Sequence, residues 1–326
     1  MNAHSRQFRE AWRAHVDALK SQYKISEVVS KWTKLEKAGK ELVGLCLNHN
    51  EHTPSMRVND AKGTVWCFAC EFTGDIFDVV QLMTGLSFRE AVEWLDGAGL
   101  SAVDPQERRV AIEREEAQRK LDIETARRFW ADGISPDGTP AEVYLRQARG
   151  ITIPLPPSVR FGMVPAWRDR DTGEWSEPQP AVLFAVFDKA GEVCGIQRIF
   201  VRNGGLQKAR MEKPKLSLGR IKGGSLRLGD PQRRVILCEG PEDGLSLMQG
   251  LPGAAVWPTL GTAMMPAVEF PNVVREIVIA GQNDDAGRVA VNKAAAALGD
   301  QGFLVSTMFP DPQFKDWNDQ LRGIAR

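Results

Sequence analysis

Cys46-Leu47-Asn48-His49 and Cys67-Phe68-Ala69-Cys70 are two pairs of metal-ligand residue types, each pair with two residues between its members and seventeen residues between the pairs. Two tight turns with that spacing can converge on one ion, offering three thiolates and an imidazole to a tetrahedral zinc. Four such ligands leave no open position, so the expected centre is structural. Its binding free energy would go into folding a sheet too small to hold itself together. His52 is a weaker candidate ligand, read otherwise as a surface residue.

A second constellation is acidic. Glu239-Gly240-Pro241-Glu242-Asp243 follows the apolar run VILC, and Gln282-Asn283-Asp284-Asp285 follows EIVIAG. In a parallel sheet, polar residues at the carboxyl ends of strands collect in the crevice where ligands bind, which would set Glu239 beside Asp284 and Asp285. Clustered carboxylates raise one another's pKa unless a cation neutralises them, and all-oxygen ligands favour Mg2+ or Mn2+. The candidate ligands on this reading are Glu239, Asp284 and Asp285, with Asp243 a further acid beside them. The plainer reading is of acids that cap two helices.

A third is basic. From Arg198 to Lys222 there are eight basic residues, Arg198, Arg202, Lys208, Arg210, Lys213, Lys215, Arg220 and Lys222, against one acid, Glu212. Polyphosphates and nucleic-acid backbones need such a local surplus, although a charge run also arises as a solvated face.

The elements that must position these groups follow from periodicity. Residues 1–40 read as helix, with Phe8, Trp12, Val16 and Leu19 on one face and a second short helix after Ser26. From Glu41 to Phe72 the runs LVGLC, SMRV and TVWCF alternate with turn signals and predict small strands. Residues 75–80 and 87–96 return to helical spacing, opened by Asp75 and Ser87 as N-caps. Residues 105–130 mix both charges around a thin apolar stripe and predict an exposed helix. PAEVYLRQARGI predicts a helix ended by Gly150, and AVLFAVFDKAGEVCGIQRIFV a hairpin turning at Lys189-Ala190-Gly191. From Arg233 onward β and α runs alternate, as in a parallel sheet. The fold expected is a multidomain chain of α+β and α/β parts: a small zinc-ribbon domain over 1–103, a charged linker helix over 104–132, a basic α+β unit over 133–230 and a Rossmann-like sheet over 231–326.

Composition bounds the function classes. Of 326 residues, 43% are hydrophobic and 26% charged, as in ordinary globular proteins. Lys+Arg and Asp+Glu cancel at 42 each, so a nucleic-acid surface must be local rather than global. Five cysteines, three of them in one short stretch, argue against a secreted disulfide framework and for a reducing, cytoplasmic setting. Cys194 and Cys238, in predicted strands, read as buried thiols. No apolar run approaches the ~20 residues of a membrane span, and the N-terminus is not that of a signal peptide.

The stretch ISEVVSKWTKLEKAGKELVGLCLNHNEHTPSMRVNDAKGTVWCFACEFTGDIFDVVQLMTGLSFREAVEWL resembles the CHC2 zinc-binding domain of bacterial and phage DNA primases. The likeness includes the H-N-E-x-T-P-S segment, the C-F-x-C pair, the Gly74-Asp75 turn and the closing S-F-R-E-A-V helix. It implies contact with single-stranded template through Arg57, Lys62, Trp66 and Phe68, residues able to hold phosphate and stack on bases. YLRQARG, RFG, the hairpin and KPKLSLG resemble the N-terminal subdomain of the primase polymerase core. That implies that basic residues here hold template and NTPs: Arg198, Lys213 and Lys215 sit where the resemblance places them, and Lys208 and Arg210 are candidates from the same basic run.

The acidic strand tips resemble the Toprim domain shared by bacterial primases, topoisomerases and some nucleases. This implies a general acid/base role for Glu239 and places the D-x-D metal motif on 282 and 284. The F-K-D-W-N-D stretch resembles the closing K-D-x-N-D and brings in Asp316 and Asp319. One position departs: the first acid of D-x-D is Gln282, whose amide oxygen can ligate a metal but brings no charge, so metal affinity should fall.

Together the resemblances imply template-directed synthesis of short RNA primers on single-stranded DNA. The alternatives are a catalytically weakened DNA-binding or regulatory protein of primase fold, and a metal-dependent nuclease. The chain ends soon after the Toprim-like segment and has no G-x-x-x-x-G-K-[ST] loop. The expectation is therefore a separate helicase or replication protein as partner, as in short primase-like proteins of phages and mobile elements, and no membrane.

Overall fold

The computed structural model describes residues 3–39, 41–100, 105–169 and 172–325. The Phe8 side chain and the expected boundary at 103/104 lie outside the described residues. The chain divides into two compact units, Met1–Ala117 and Gln118–Arg326.

In the first unit, α1 (Ala3–Gln22) and α2 (Ile25–Val29) precede five short strands. These are β1 (Glu36–Ala38), β2 (Glu41–Gly44), β3 (Met56–Asn59), β4 (Thr64–Cys67) and β5 (Thr73–Gly74), each antiparallel to the next in that order. Residues 36–38 are therefore strand, where the sequence suggested helix up to residue 40. Gly39, at φ 71°, lets the chain reverse there so that Ala38 opposes Glu41. Helices α3 (Ile76–Thr84) and α4 (Phe88–Asp96) close the unit, opened by Asp75 and Ser87, each in a reciprocal capping box. Period-2 alternation sends Met56, Val58, Val65 and Cys67 inward, against Leu19, Ile25, Val28, Phe77 and Leu95. It leaves the paired residues Arg57 and Trp66 on the other face.

Helix α5 (Pro105–Asp132) is the expected charged helix, and the division between the units falls inside it. In the second unit, α6 (Pro140–Val143) runs into a π-turn at Tyr144–Ala148, and Gly150 follows at φ 72°. The expected hairpin is β7 (Pro178–Phe187) and β8 (Val193–Arg202), after β6 (Val159–Pro165) and before β9 (Gln207–Lys208), β10 (Lys215–Gly219) and β11 (Ser225–Leu226). It forms the centre of a six-stranded antiparallel sheet. The short strands at its flanks carry too few alternating residues to be read from sequence.

The last part is β12 (Arg234–Cys238), α7 (Pro241–Gly250), β13 (Ala255–Pro258), β14 (Glu276–Ala280), α8 (Asp285–Asp300), β15 (Leu304–Met308) and α9 (Trp317–Arg322). Its four strands are all parallel, in the order β13-β12-β14-β15. β12 and β13, buried on both faces, read as apolar runs rather than alternating ones, whereas the edge strand β15 is largely exposed. Helix α7 is the seam between the two sheets: Leu245 packs with Val182 and Phe184 of β7, and Leu247 with Ile236 and Cys238 of β12. Gly244 is required there, since a Cβ would come within 2.5 Å of Pro258 and 2.7 Å of Leu228. Among the described residues, no helix is long and apolar enough to cross a membrane.

Candidate functional site

Cys46 follows β2, Cys67 ends β4, and Cys70 lies in the turn before β5. Together with His49 they bring four ligand atoms within 4.8 Å of one another. Cys46 Sγ lies 3.7 Å from Cys70 Sγ, and Cys67 Sγ lies 3.9 Å from His49 Nδ1. A tetrahedron with bonds of roughly 2.3 Å has edges of about 3.8 Å, so the quartet fits zinc. Burial pushes the Cys46 thiol up to about 12. Burial pushes Cys67 upward too, but N–H donors from Cys70 and Ala69 and the Ser55 hydroxyl outweigh it and hold that thiol at about 7. Cys67 is thus readier than Cys46 to become a thiolate. His52 is exposed and outside the quartet. Glu51, which the sequence reading passed over, accepts from Cys46 N and Ser55 N and lies 3.1 Å from His49 Nε2.

On the outer face of the small sheet the rings of Trp66 and Phe68 have centroids 4.0 Å apart. The Arg57 guanidinium lies 5.8 Å from the centre of the Phe68 ring. Phe68 is 58% exposed. Lys62 is engaged elsewhere, its ammonium 2.7 Å from Glu115.

The carboxylates gather where β12 and β14 end. Glu239 directly follows β12, and its carboxyl is raised: burial pushes it up, Lys215 and Lys315 draw it down, and Asp284 and Asp316 push it up again. Asp284 caps α8, accepting from Gly287 N at 2.7 Å, and Asp316 caps α9, accepting from Asp319 N at 2.8 Å. Asp285 is exposed on the first turn of α8. Asp243 is buried on α7 with both oxygens occupied, by Gln282 Nε2 at 3.1 Å and Asn318 N at 3.2 Å. Burial first, then Asp316 and Glu242, raise it to about 7, against the pull of those two hydrogen bonds. Among the described residues, the zinc quartet is the one group of three or more Cys, His, Asp or Glu whose ligand atoms come within 4.8 Å of one another.

Beside these acids stands a buried cationic network that the sequence did not suggest. Glu242 is 6% exposed. It receives Lys215 Nζ at 2.8 Å, Lys208 Nζ at 3.3 Å and the Tyr144 hydroxyl at 2.9 Å, while Arg149 Nε donates to the Tyr144 oxygen at 2.9 Å. Burial alone would raise the Glu242 carboxyl, yet Lys215 and Lys208 hold it at about 2. Tyr144 and Arg149 lie about a hundred residues upstream and carry no local signal. Glu242 is one of three acids in 239–243, and only the helical turn decides which of them faces in.

The basic residues separate. Lys208 and Lys215 reach this network, and Arg210 and Lys213 are exposed between β9 and β10. Arg198 is a correction. It is 3% exposed, and its guanidinium donates to the Pro165 carbonyl and lies over the Phe200 ring, so it is a core residue and not a template or nucleotide contact. It shares the α5-facing side of β8 with Ile196 and Phe200, whereas Lys215 reaches Glu242 of α7. Cys194 and Cys238 are buried, as expected.

Comparison with known proteins follows the same division. Residues 11–109 match the CHC2 zinc finger, 121–228 a domain of unknown function (DUF7146), and 234–324 the Toprim domain. A DNA primase of Enterococcus faecalis is 24% identical over 353 aligned positions, covering 94% of this chain and 56% of the relative. A DNA primase of Staphylococcus aureus is 32% identical over 156 residues, covering 46% of this chain and 26% of the relative. The zinc-binding and RNA polymerase domains of the Aquifex aeolicus primase superpose with a TM-score of 0.47 at 19% identity, covering 95% of this chain and 82% of that one. The chain spans little more than half the length of the Enterococcus relative. The chain thus carries a CHC2 zinc finger match and a Toprim match together, and is similar to DNA primases.

Proposed function

We propose that the chain is a primase-like nucleotidyltransferase that makes short RNA primers on single-stranded DNA. One observation carries the reading: a raised Glu239, in the field of Asp284 and Asp316, stands within reach of the charge of Lys215, which with Lys208 flanks Glu242. Acids that repel at two strand tips suit a hard cation, and adjacent ammonium groups suit phosphate. Glu239, Asp284 and Asp316, with the Gln282 amide oxygen, are the groups of the right chemistry to hold Mg2+ or Mn2+. Such an ion, when bound, would stabilise charge on the transferred phosphoryl group. Lys208, Lys215 and Arg149 outnumber Glu242, leaving net positive charge for the triphosphate. Glu239, whose carboxyl is raised by burial, is suited to exchange a proton with an attacking hydroxyl.

On the zinc finger, the Trp66 and Phe68 rings with Arg57 offer a stacking and phosphate platform for single-stranded template. A separate helicase or replication protein would supply unwinding, and the setting is the cytoplasm. Labelled NTPs, a single-stranded template and either Mg2+ or Mn2+ test the reading. Oligoribonucleotide products are expected, and their absence with both metals overturns it. Shortening of the template would show a nuclease instead.

One observation favours a second reading, a DNA-binding protein with weakened catalysis. The Gln282 amide already satisfies Asp243 without any cation, so the site can be stable empty. Template binding without product supports this reading.

A further inference from the structure

We propose that Glu51 is the positioning residue of the zinc centre: its carboxylate holds His49 with Nε2 protonated, so that Nδ1 is the metal ligand, and anchors the turns of Cys46 and Cys67 to the same point. This rests on the zinc reading above and goes beyond it. Glu51 Oε1 accepts from Cys46 N at 2.7 Å and from Ser55 N at 3.0 Å. Its Oε2 accepts from the Ser55 hydroxyl at 2.5 Å and lies 3.1 Å from His49 Nε2. The Ser55 hydroxyl oxygen is in turn 3.1 Å from Cys67 Sγ. One carboxylate therefore touches three of the four ligand residues, directly or through Ser55.

The assignment of ring nitrogens follows. His49 Nδ1 faces the Cys67 sulfur inside the quartet, and Nε2 faces Oε2 on the outside. A carboxylate oxygen only accepts, so at 3.1 Å it favours the tautomer with the proton on Nε2, which leaves the lone pair on Nδ1. That tautomer is the one that can ligate inward. Glu51 is also well placed to act this way, since its side chain is only 11% exposed and water competes little for its oxygens. Outer carboxylates of this kind fix ring orientation and raise ligand basicity.

Substitution by glutamine tests the role with almost no change in volume. With the amide oxygen kept on Cys46 N and Ser55 N, the NH2 must face the Nε2–H of His49, donor against donor. The full chain, labelled with 15N-histidine and loaded with zinc, reports the ring directly, because it holds four histidines in all. In the wild type His49 should show a metal-shifted Nδ1 and a slowly exchanging proton on Nε2. In Glu51→Gln that proton should exchange faster, and zinc affinity by chelator competition should fall roughly 10- to 100-fold. Glu36→Gln, an exposed change in the same small sheet, should do neither.

The proposal is overturned if zinc sits on Nε2 in the wild type, or if Glu51→Gln and Glu36→Gln hold zinc equally well. If Glu51→Gln does not fold, the wild-type ring pattern still decides. Failure of the wild type to bind one zinc would remove the zinc reading along with this one, whereas zinc bound through Nε2 removes this one alone.

Discussion

The amide nitrogen of Gln282 donates to Oδ2 of Asp243 at 3.1 Å, so a residue just beyond β14 is tied to a buried acid on α7 by a bond that needs no metal. A carboxylate at 282 would instead face the carboxylate of Asp243, and the pair would have to share a proton or a cation. Gln282→Asp should therefore lower thermal stability in metal-free buffer and gain a larger magnesium-dependent rise in melting temperature than the wild type. Primer synthesis, if limited by the missing charge, should rise at least ~10-fold, equivalent to about 1.4 kcal/mol of barrier. Calorimetry with and without magnesium checks the first part, and an identical magnesium response in both proteins would show that 282 does not face the metal.

Glu242 answers two ammonium groups and a phenol in a site with little water. Glu242→Ala leaves Lys208, Lys215 and Tyr144 without that acceptor and should cost about 3–5 kcal/mol in denaturant unfolding. Lys208→Met should cost less, since Lys215 remains on the carboxylate.

Two neighbouring acids give opposite pH dependences. The folded pKa of Glu242, about 2, is below its usual 4.5, so the stabilisation it contributes is complete above about pH 4.5 and is lost as pH falls toward 2. Asp243, at about 7 against a usual 3.8, keeps a proton in the folded state that the unfolded chain has released, so its effect is a loss of stability as pH rises from about 4 to 7. Asp243→Asn should flatten the pH 4–7 slope and leave the acid limb in place. Unfolding curves across that range decide it, and an unchanged slope would place the titration elsewhere.

Arg198 and Lys215 separate fold from function. Arg198→Met should change stability and leave affinity for nucleotide and template within about twofold, because the guanidinium faces Pro165 and Phe200. Lys215→Ala should weaken nucleotide binding. On the zinc finger, Phe68→Ala should cost about 1–3 kcal/mol of single-strand affinity if a base stacks there. Fluorescence anisotropy with a labelled oligonucleotide measures it.

Removal of zinc should melt the small sheet and spare the parallel one. After chelation, amide protection across residues 36–74 should collapse, while β12 and β14 keep theirs, since the latter draw on an apolar core of their own. Loss of protection in both would show that the two units do not fold independently.

Local chemistry was legible in the sequence. The spacing of Cys46, His49, Cys67 and Cys70 announced a quartet because each pair sits in one turn, where a few residues fix the geometry. Asp75 and Ser87 announced their helices because a cap is satisfied within three residues. The apolar runs of β12 and β14 announced a buried parallel sheet, and hence where Glu239 and Asp284 would lie. What the sequence could not decide was facing and long-range partnership. Arg198 and Lys215 look alike as basic residues on strands, and only the packing of α5 on one side of the antiparallel sheet and α7 on the other made one a core residue and the other a site residue. Tyr144, Arg149 and Glu242 meet across about a hundred residues because α6 and α7 pack on the same sheet face, and no local pattern encodes that meeting. Burial then set the charges: the same carboxyl chemistry is held at about 2 in Glu242 by two ammonium groups and raised to about 7 in Asp243 by desolvation and neighbouring acids.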